Sequence, residues 1–206
     1  RFTMDARVFS LLALGCVAAL NSVSGNILWL TRYRRAGVRN PNMGQEIGFL
    51  RPASWPIVWK GQVLVLPQDR SDLAAFDKIS GKELQLPAPK TREGELDWKN
   101  MTHLVGIVDD WMVIGGAVSH VIRLRDFQAY SLASSNTSRC GRGVIHGDLV
   151  YLPAASNQGG NQVGVLAIYD VRTWKSLDQP SWKEPNEYGN LLVAGNYLVV
   201  ATNKVT

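Results

Sequence analysis

Apolar positions in this chain fall in short runs broken by pairs of polar or glycine residues. One phrase recurs: an apolar run, a two-residue polar turn, then a second apolar run. It reads PIVWKGQVLVLP, LVGIVDDWMVIGG, GVIHGDLVYLPA and NLLVAGNYLVVAT, with turns at Lys60-Gly61, Asp109-Asp110, Gly147-Asp148 and Gly195-Asn196. A weaker copy lies in MDARVFSLL near Asp5-Ala6. Gly, Asn and Asp tolerate the positive φ of tight hairpin turns, and β-branched and aromatic residues favour strands, so each phrase predicts a two-stranded hairpin. The second strands, VLVLP, WMVIG, LVYLP and YLVVA, are apolar throughout rather than alternating, which predicts burial on both faces and sheets stacked face to face.

A second element follows each hairpin. An amide or acid recurs at Asn21, at Asp77, at a degenerate Leu124 in VIRLRDFQAY and at Asp170, at intervals of 56, 47 and 46 residues. In Asn21-x-x-Ser24-Gly25 and Asp77-x-x-Ser80-Gly81 the side-chain oxygens can accept turn N–H groups while Gly takes a left-handed position, which is hairpin chemistry again. Asp170-x-x-Thr173-Trp174 keeps the acid and the hydroxyl but lacks the Gly, so its turn should be looser or of another type. Two hairpins per period of roughly 45 residues predict an all-β fold: a β-propeller of four-stranded antiparallel blades, incomplete in this chain. The repeats divide it at about 4–50, 51–100, 101–139 and 140–189, with a fifth blade starting over 190–206. Three polar stretches, 31–52, 86–99 and 178–189, read as long loops. SNQGGNQ, residues 156–162, reads as a flexible loop interrupting the fourth repeat and available to a partner.

Ala19-x-Asn21-x-x-Ser24-Gly25-x-x-x-Trp29 resembles the repeat signature of quinoprotein (PQQ)-like propellers. Ala75-x-Asp77-x-x-Ser80-Gly81 matches again, with Gln85 in place of the Trp. The resemblance implies that Trp29 docks one blade on the next and that Ala19, Asn21, Ser24, Gly25, Ala75, Asp77, Ser80, Gly81, Asp170 and Thr173 are blade-docking residues rather than catalytic ones. The family includes quinone-dependent dehydrogenases and non-catalytic envelope propellers, such as the propeller lipoproteins of the outer-membrane barrel assembly machinery. Its enzymes carry an adjacent Cys-Cys pair and a calcium-binding set of carboxylates and amides. Here Cys16 and Cys140 stand 124 residues apart, and no acidic run has calcium-loop spacing.

The net charge of +5 is local: residues 1–60 hold 8 Lys/Arg against 2 Asp/Glu. Arg32, Arg34, Arg35 and Arg39 form a candidate patch for an anionic partner, although no nucleic-acid module surrounds them and nucleic acid is not the expected partner. The cysteines lack metal-ligand spacing, as do His103, His120 and His146, which belong to different segments. VFSLLALGCVAAL, residues 8–20, has the composition of a signal-peptide core but leads straight into the repeated phrase and reads as strand; it is too short to span a bilayer as a helix. A first residue of Arg1 and a last residue inside an apolar pattern, Thr206, suggest that both ends are cut from something longer.

No nucleophile elbow, P-loop, HExxH or dinucleotide fingerprint is present. Gly141-Arg142-Gly143 reads as a turn leading into a blade, Asp109-Asp110 as a solvated hairpin turn, and Asn100 and Asn136 open N-glycosylation triplets. The expectation is therefore a non-catalytic propeller scaffold for protein–protein contact in the bacterial cell envelope, periplasmic or outer-membrane associated. It should bind no cofactor or metal, and its partner would be another protein or the remaining blades of a longer chain. Membrane attachment would come only through a part not in this sequence. The competing reading is a fragment of a PQQ-dependent dehydrogenase.

Overall fold

A computed structural model describes residues 7–12, 15–34, 37–39, 46–48, 54–70, 72–98, 101–116, 118–132, 137–139, 141–158, 161–177, 180–182 and 189–201. Asp5-Ala6, Arg35, Cys140, Asn100 and Asn136 lie outside these. The described residues form β-sheets, antiparallel except for one short pairing, grouped in two compact units, Arg1–Pro87 with Thr102–Leu104, and Ala88–Met101 with Val105–Thr206.

In the first unit, β1 (Arg7–Leu12), β2 (Cys16–Asn21) and β3 (Ile27–Arg32) form a three-stranded sheet in sequence order. The signal-like stretch is thus strand, but two strands: β1 and β2 pair from Arg7↔Asn21 to Leu12↔Cys16 around a turn at Gly15. β4 (Gly37–Arg39) and β5 (Glu46–Gly48) make a short hairpin within the stretch expected to be loop. A four-stranded meander follows: β6 (Ile57–Trp59), β7 (Gln62–Val65), β8 (Ala74–Asp77) and β9 (Glu83–Leu84). Lys60 and Gly61 both adopt positive φ, 43° and 80°, the geometry a two-residue hairpin requires. Val17 of the first sheet and Tyr33, just past the end of β3, close a core against Val63, Val65, Ala74 and Phe76 of the second, with Phe9 and Trp29 at its margin.

The second unit holds a six-stranded sheet in the order β11-β10-β15-β14-β13-β12. β12 (Met101–Val108), β13 (Trp111–Gly116), β14 (His120–Arg123) and β15 (Gln128–Ser131) form the expected antiparallel four. Thr102–Leu104 of β12 belong to the first unit, where the Leu104 N–H donates to Ser54 Oγ at 2.9 Å. β10 (Lys90–Thr91) and β11 (Gly94–Glu95) correct the loop expected over 86–99: Lys90 lies parallel to Gln128, Lys90 N–H donates to the Phe127 carbonyl, and Gln128 Nε2 donates to the Lys90 carbonyl. This parallel pairing is made between segments far apart in sequence, so no local hairpin pattern announces it.

The next sheet is built on two ten-residue strands, β18 (Leu149–Gln158) and β19 (Asn161–Asp170), paired out to Gln158↔Asn161. Residues 156–158 and 161–162 of SNQGGNQ, read as part of a loop, are therefore strand. β17 (Val144–His146) and β16 (Thr137–Arg139) share one edge of β18, the first pairing Leu149–Tyr151 and the second Ala154–Ser156. Pro153 sits in the gap between them, where its missing N–H breaks no ladder bond. β20 (Ser181–Trp182) pairs with Gly164 and Val165 of β19, placing strand inside the third expected loop. β21 (Asn190–Ala194) and β22 (Tyr197–Ala201) form a last hairpin. Val113 and Val121 pack with Leu132, Val150, Leu152, Ala167, Tyr169 and Val171 as the core of this unit.

Three of the four apolar second strands behave as read: Val63 to Val65, Met112 to Ile114, and Val150 with Leu152 are buried. β22 does not. Tyr197 is 76% exposed and Val199 and Val200 are also exposed, whereas Leu191 on the paired strand β21 is buried.

Candidate functional site

The recurring turn is one loop built four times. In the first copy Asn21 Oδ1 accepts the Val23 and Ser24 N–H groups, both at 2.9 Å, Ser24 Oγ accepts the Asn26 N–H, and Gly25 N–H donates to the Asn21 carbonyl. In the second, Asp77 Oδ1 accepts the Ile79 and Ser80 N–H groups and the Ser80 hydroxyl, Ser80 Oγ accepts the Lys82 N–H, and Gly81 N–H donates to the Asp77 carbonyl. These bonds, led by the Ser80 N–H, hold the Asp77 carboxyl below the usual carboxylate range.

The Asp170 turn departs from expectation: it is neither looser nor of another type. Asp170 Oδ1 accepts from Arg172 N–H, Thr173 N–H and the Thr173 hydroxyl, Thr173 Oγ1 accepts the Lys175 N–H, and Trp174 N–H donates to the Asp170 carbonyl. Trp174 itself takes the left-handed position at φ 54°, where the earlier copies carry Gly25 at 73° and Gly81 at 70°. Asp170, like Asp77, is held below the ordinary carboxylate range, chiefly by the Thr173 N–H.

The remaining copy corrects the register by one residue. Phe127, at φ 55°, donates its N–H to the Arg123 carbonyl, so Arg123 and not Leu124 stands where Asn21, Asp77 and Asp170 stand. Its charges are exchanged: Asp126 occupies the serine position, accepts the Gln128 N–H at 3.3 Å and receives both Arg123 Nε and Nη2. That fork holds Asp126 below the ordinary carboxylate range. Arg123 also lies 5.5 Å above the Trp111 ring centroid.

The conspicuous tryptophan joins two sheets of the first unit. Trp29, on β3, donates Nε1–H to the Lys78 carbonyl at 3.1 Å, and Thr31 two residues on donates its hydroxyl to the Gly81 carbonyl at 2.7 Å. Its ring stacks toward Phe76 at 6.5 Å and tilts against Phe9 at 5.9 Å. A Cβ on Gly81 would lie 2.5 Å from Trp29 Cδ2, so this glycine is required by contact as well as by φ. Ala19 and Ala75 are fully buried on β2 and β8.

The second unit inverts this packing. Eight residues after Arg123, where Trp29 stands after Asn21, the chain carries Ser131. The indole comes instead from the left-handed position: Trp174 meets Trp111 edge-on at 5.6 Å, its Nε1 buried and without a hydrogen-bond partner.

Of the candidate arginine patch, Arg32 ends β3 and Arg34 follows it, both exposed; Arg39 lies in β4, where only its backbone is described. Arg35 lies outside the described residues. His103, His120 and His146 fall on β12, β14 and β17, and no three His, Cys, Asp or Glu side chains gather to hold a metal among the described residues. The Arg142 N–H of the Gly141–Gly143 turn donates to Asn190 Oδ1, so that turn is spent on packing against the last hairpin.

One further feature escaped the motif reading. The β10–β11 hairpin, with β12, β14 and β15 of the same six-stranded sheet, lines an open cleft of about 750 Å³ in the second unit. Its polar lining comes from Thr91, Arg92, Glu93, Glu95, Asp97, His120, Tyr130 and Ser131, and its apolar lining from Leu96, Met101, Val118 and Ala129. Burial pushes the His120 imidazole below the usual histidine range, against a weaker opposing contact to the Val118 carbonyl. The TREGE segment was the only local hint, and it reads equally as a solvated loop.

No family model and no curated protein matches the chain. Among solved structures it is similar to BamB from Moraxella catarrhalis, with 14% identity and a TM-score of 0.51 over 96% of this chain and 67% of that one. It is also similar to the quinohemoprotein alcohol dehydrogenase from Comamonas testosteroni, with 13% identity and a TM-score of 0.60 over 92% of this chain and 36% of that one. The chain thus spans about two thirds of the first protein and about a third of the second. Identities this low speak for architecture alone, and with the consecutive antiparallel sheets they establish the fold of the chain as that of a PQQ-like β-propeller.

Proposed function

We propose that the chain belongs to a non-catalytic propeller acting as a rigid platform for protein contact in the bacterial cell envelope, with blades at about 4–50, 51–100, 101–139 and 140–189 and a fifth beginning over 190–206. The observation that carries this reading is where the motif residues spend their polar groups: Trp29 Nε1, Thr31 Oγ1 and the Asn21, Asp77 and Asp170 side chains all bond to backbone of turns, in a structural role. Meanwhile Ile27, Leu28 and Leu30 on β3, and Leu192, Tyr197, Val199 and Val200 on the last hairpin, present apolar surface of the kind protein interfaces use. The likeness to BamB supports the reading. No helix among the described residues is long and apolar enough to cross a membrane. The exposed Arg32 and Arg34 would act as a rim for an anionic partner, not as a nucleic-acid site.

The likeness to a quinohemoprotein dehydrogenase favours the alternative, a part of a PQQ enzyme. The described residues do not fit the group: no carboxylate cluster could hold its calcium, and Cys16 has no neighbouring cysteine in sequence. A titration with PQQ and calcium, followed by gel filtration, separates the readings. The platform predicts that no quinone absorbance co-elutes; stoichiometric retention supports the enzyme. In the positive direction, a photo-crosslinker at Leu28 in cells is expected to capture discrete envelope proteins, and its failure to do so at both Leu28 and Tyr197 contradicts the platform.

A further inference from the structure

We propose that the cleft lined by the β10–β11 hairpin and the neighbouring strands of its own sheet receives a lysine- or arginine-bearing peptide segment of a partner protein. This rests on the platform reading and names the chemistry of one contact. The volume, about 750 Å³, is in the range of built ligand sites and well beyond surface roughness. Its floor is apolar: Met101 and Ala129 are buried, as is Leu96, while Val118 is partly exposed. The Tyr130 ring is 37% exposed and backed by Trp111 at 5.8 Å, so one aromatic face is held in place for a ligand.

The rim has the opposite sign to the rest of the molecule. Glu93, Glu95 and Asp97 face one Arg92, while the chain as a whole carries +5. Glu93 and Glu95 are exposed and enter no ion pair among the described residues, and His120, its protonation disfavoured by burial, adds no lasting positive charge at neutral pH. A long basic side chain satisfies both surfaces at once, its methylene stem on Leu96 and Met101 and its charged head at Glu93 and Glu95, with Tyr130 offering a cation–π face. A peptide, rather than a free amine, is favoured by β11. It is the outermost strand of the six-stranded sheet and pairs only with β10 among the described residues, which leaves backbone groups open for strand addition beside the cleft.

The test uses two blocked, fluorescein-labelled hexapeptides on the full chain: alternating Val and Lys, and the same peptide with Glu for each Lys. The basic probe is expected to bind and the acidic one not. The double variant Glu93→Gln/Glu95→Gln, whose side chains are exposed and whose melting temperature should match the parent, is expected to bind the basic probe about fivefold or more weakly, and about 0.5 M salt should weaken the parent similarly. Equal binding of both probes, no binding of the basic probe, or unchanged affinity in the double variant overturns the proposal. Quinone retention and cross-linking at Leu28 do not involve these residues, so failure of the cleft is read separately from failure of the platform.

Discussion

Trp29 and Gly81 form a closed contact between consecutive sheets: the indole covers the glycine so tightly that a methyl group there would fall 2.5 Å from Cδ2, and its Nε1–H reaches Lys78 in the same turn. Removing only the hydrogen bond, by Trp29→Phe, is expected to cost about 1 kcal/mol, whereas Trp29→Ala should cost about 3–5 kcal/mol. Urea unfolding monitored by circular dichroism measures both.

Trp174 carries two opposing terms. Its left-handed backbone is strained for a bulky residue, which Trp174→Gly relieves, while the Trp111 contact and its place beside the core are lost. Packing should win, leaving Trp174→Gly destabilised by about 2–3 kcal/mol, and thermal unfolding reads the difference. A stabilised Trp174→Gly would show that backbone strain outweighs the aromatic pair.

The turn carboxylates give stability a defined acid limb. Asp77, Asp126 and Asp170 have folded pKa values below their unfolded ones, so their contribution is present above the unfolded value near 4 and is lost as pH falls through the folded values. Because Asp126 is exposed and Asp77 and Asp170 lie half-buried in surface turns, solvent screening keeps the effect per residue small. Asp77→Asn, which reproduces the Asn21 turn, should retain the fold at neutral pH and flatten the fall in melting temperature below about pH 4. An unchanged acid limb in Asp77→Asn/Asp170→Asn would contradict this.

Arg123 and Asp126 can be exchanged for the commoner chemistry. Arg123→Asp/Asp126→Ser rebuilds the Asp77-to-Ser80 arrangement and gives up an exposed ion pair and a cation–π contact, so the midpoint of chemical unfolding is expected to stay close to the parent's.

These turns also show how far the sequence could be read. The hairpins at Lys60-Gly61, Asp109-Asp110, Gly147-Asp148 and Gly195-Asn196 were legible because their backbone demands Gly, Asn or Asp, or a neighbour that tolerates positive φ. The copy at Arg123 was misplaced by one residue because its hydrogen-bonding signature is charge-exchanged, and the one at Asp170 misjudged because tertiary packing puts Trp174 where local preference asks for Gly. β10 and the cleft had no local signal beyond the polar TREGE segment, which reads equally as loop. They depend on Lys90 lying parallel to Gln128, and residues from 91–97, 118–120 and 129–131 line one site only once that pairing exists.

The central claim, that the repeated turn is a socket for the preceding sheet, is tested most directly by a double-mutant cycle on Trp29 and Gly81. Gly81→Ala should destabilise the parent by about 2–3 kcal/mol, partly through positive φ and partly through collision with the indole, and the collision should vanish in a Trp29→Ala background. A coupling of at least about 1 kcal/mol is the predicted result. Strict additivity, with Gly81→Ala equally costly whether or not the indole is there, would contradict the account.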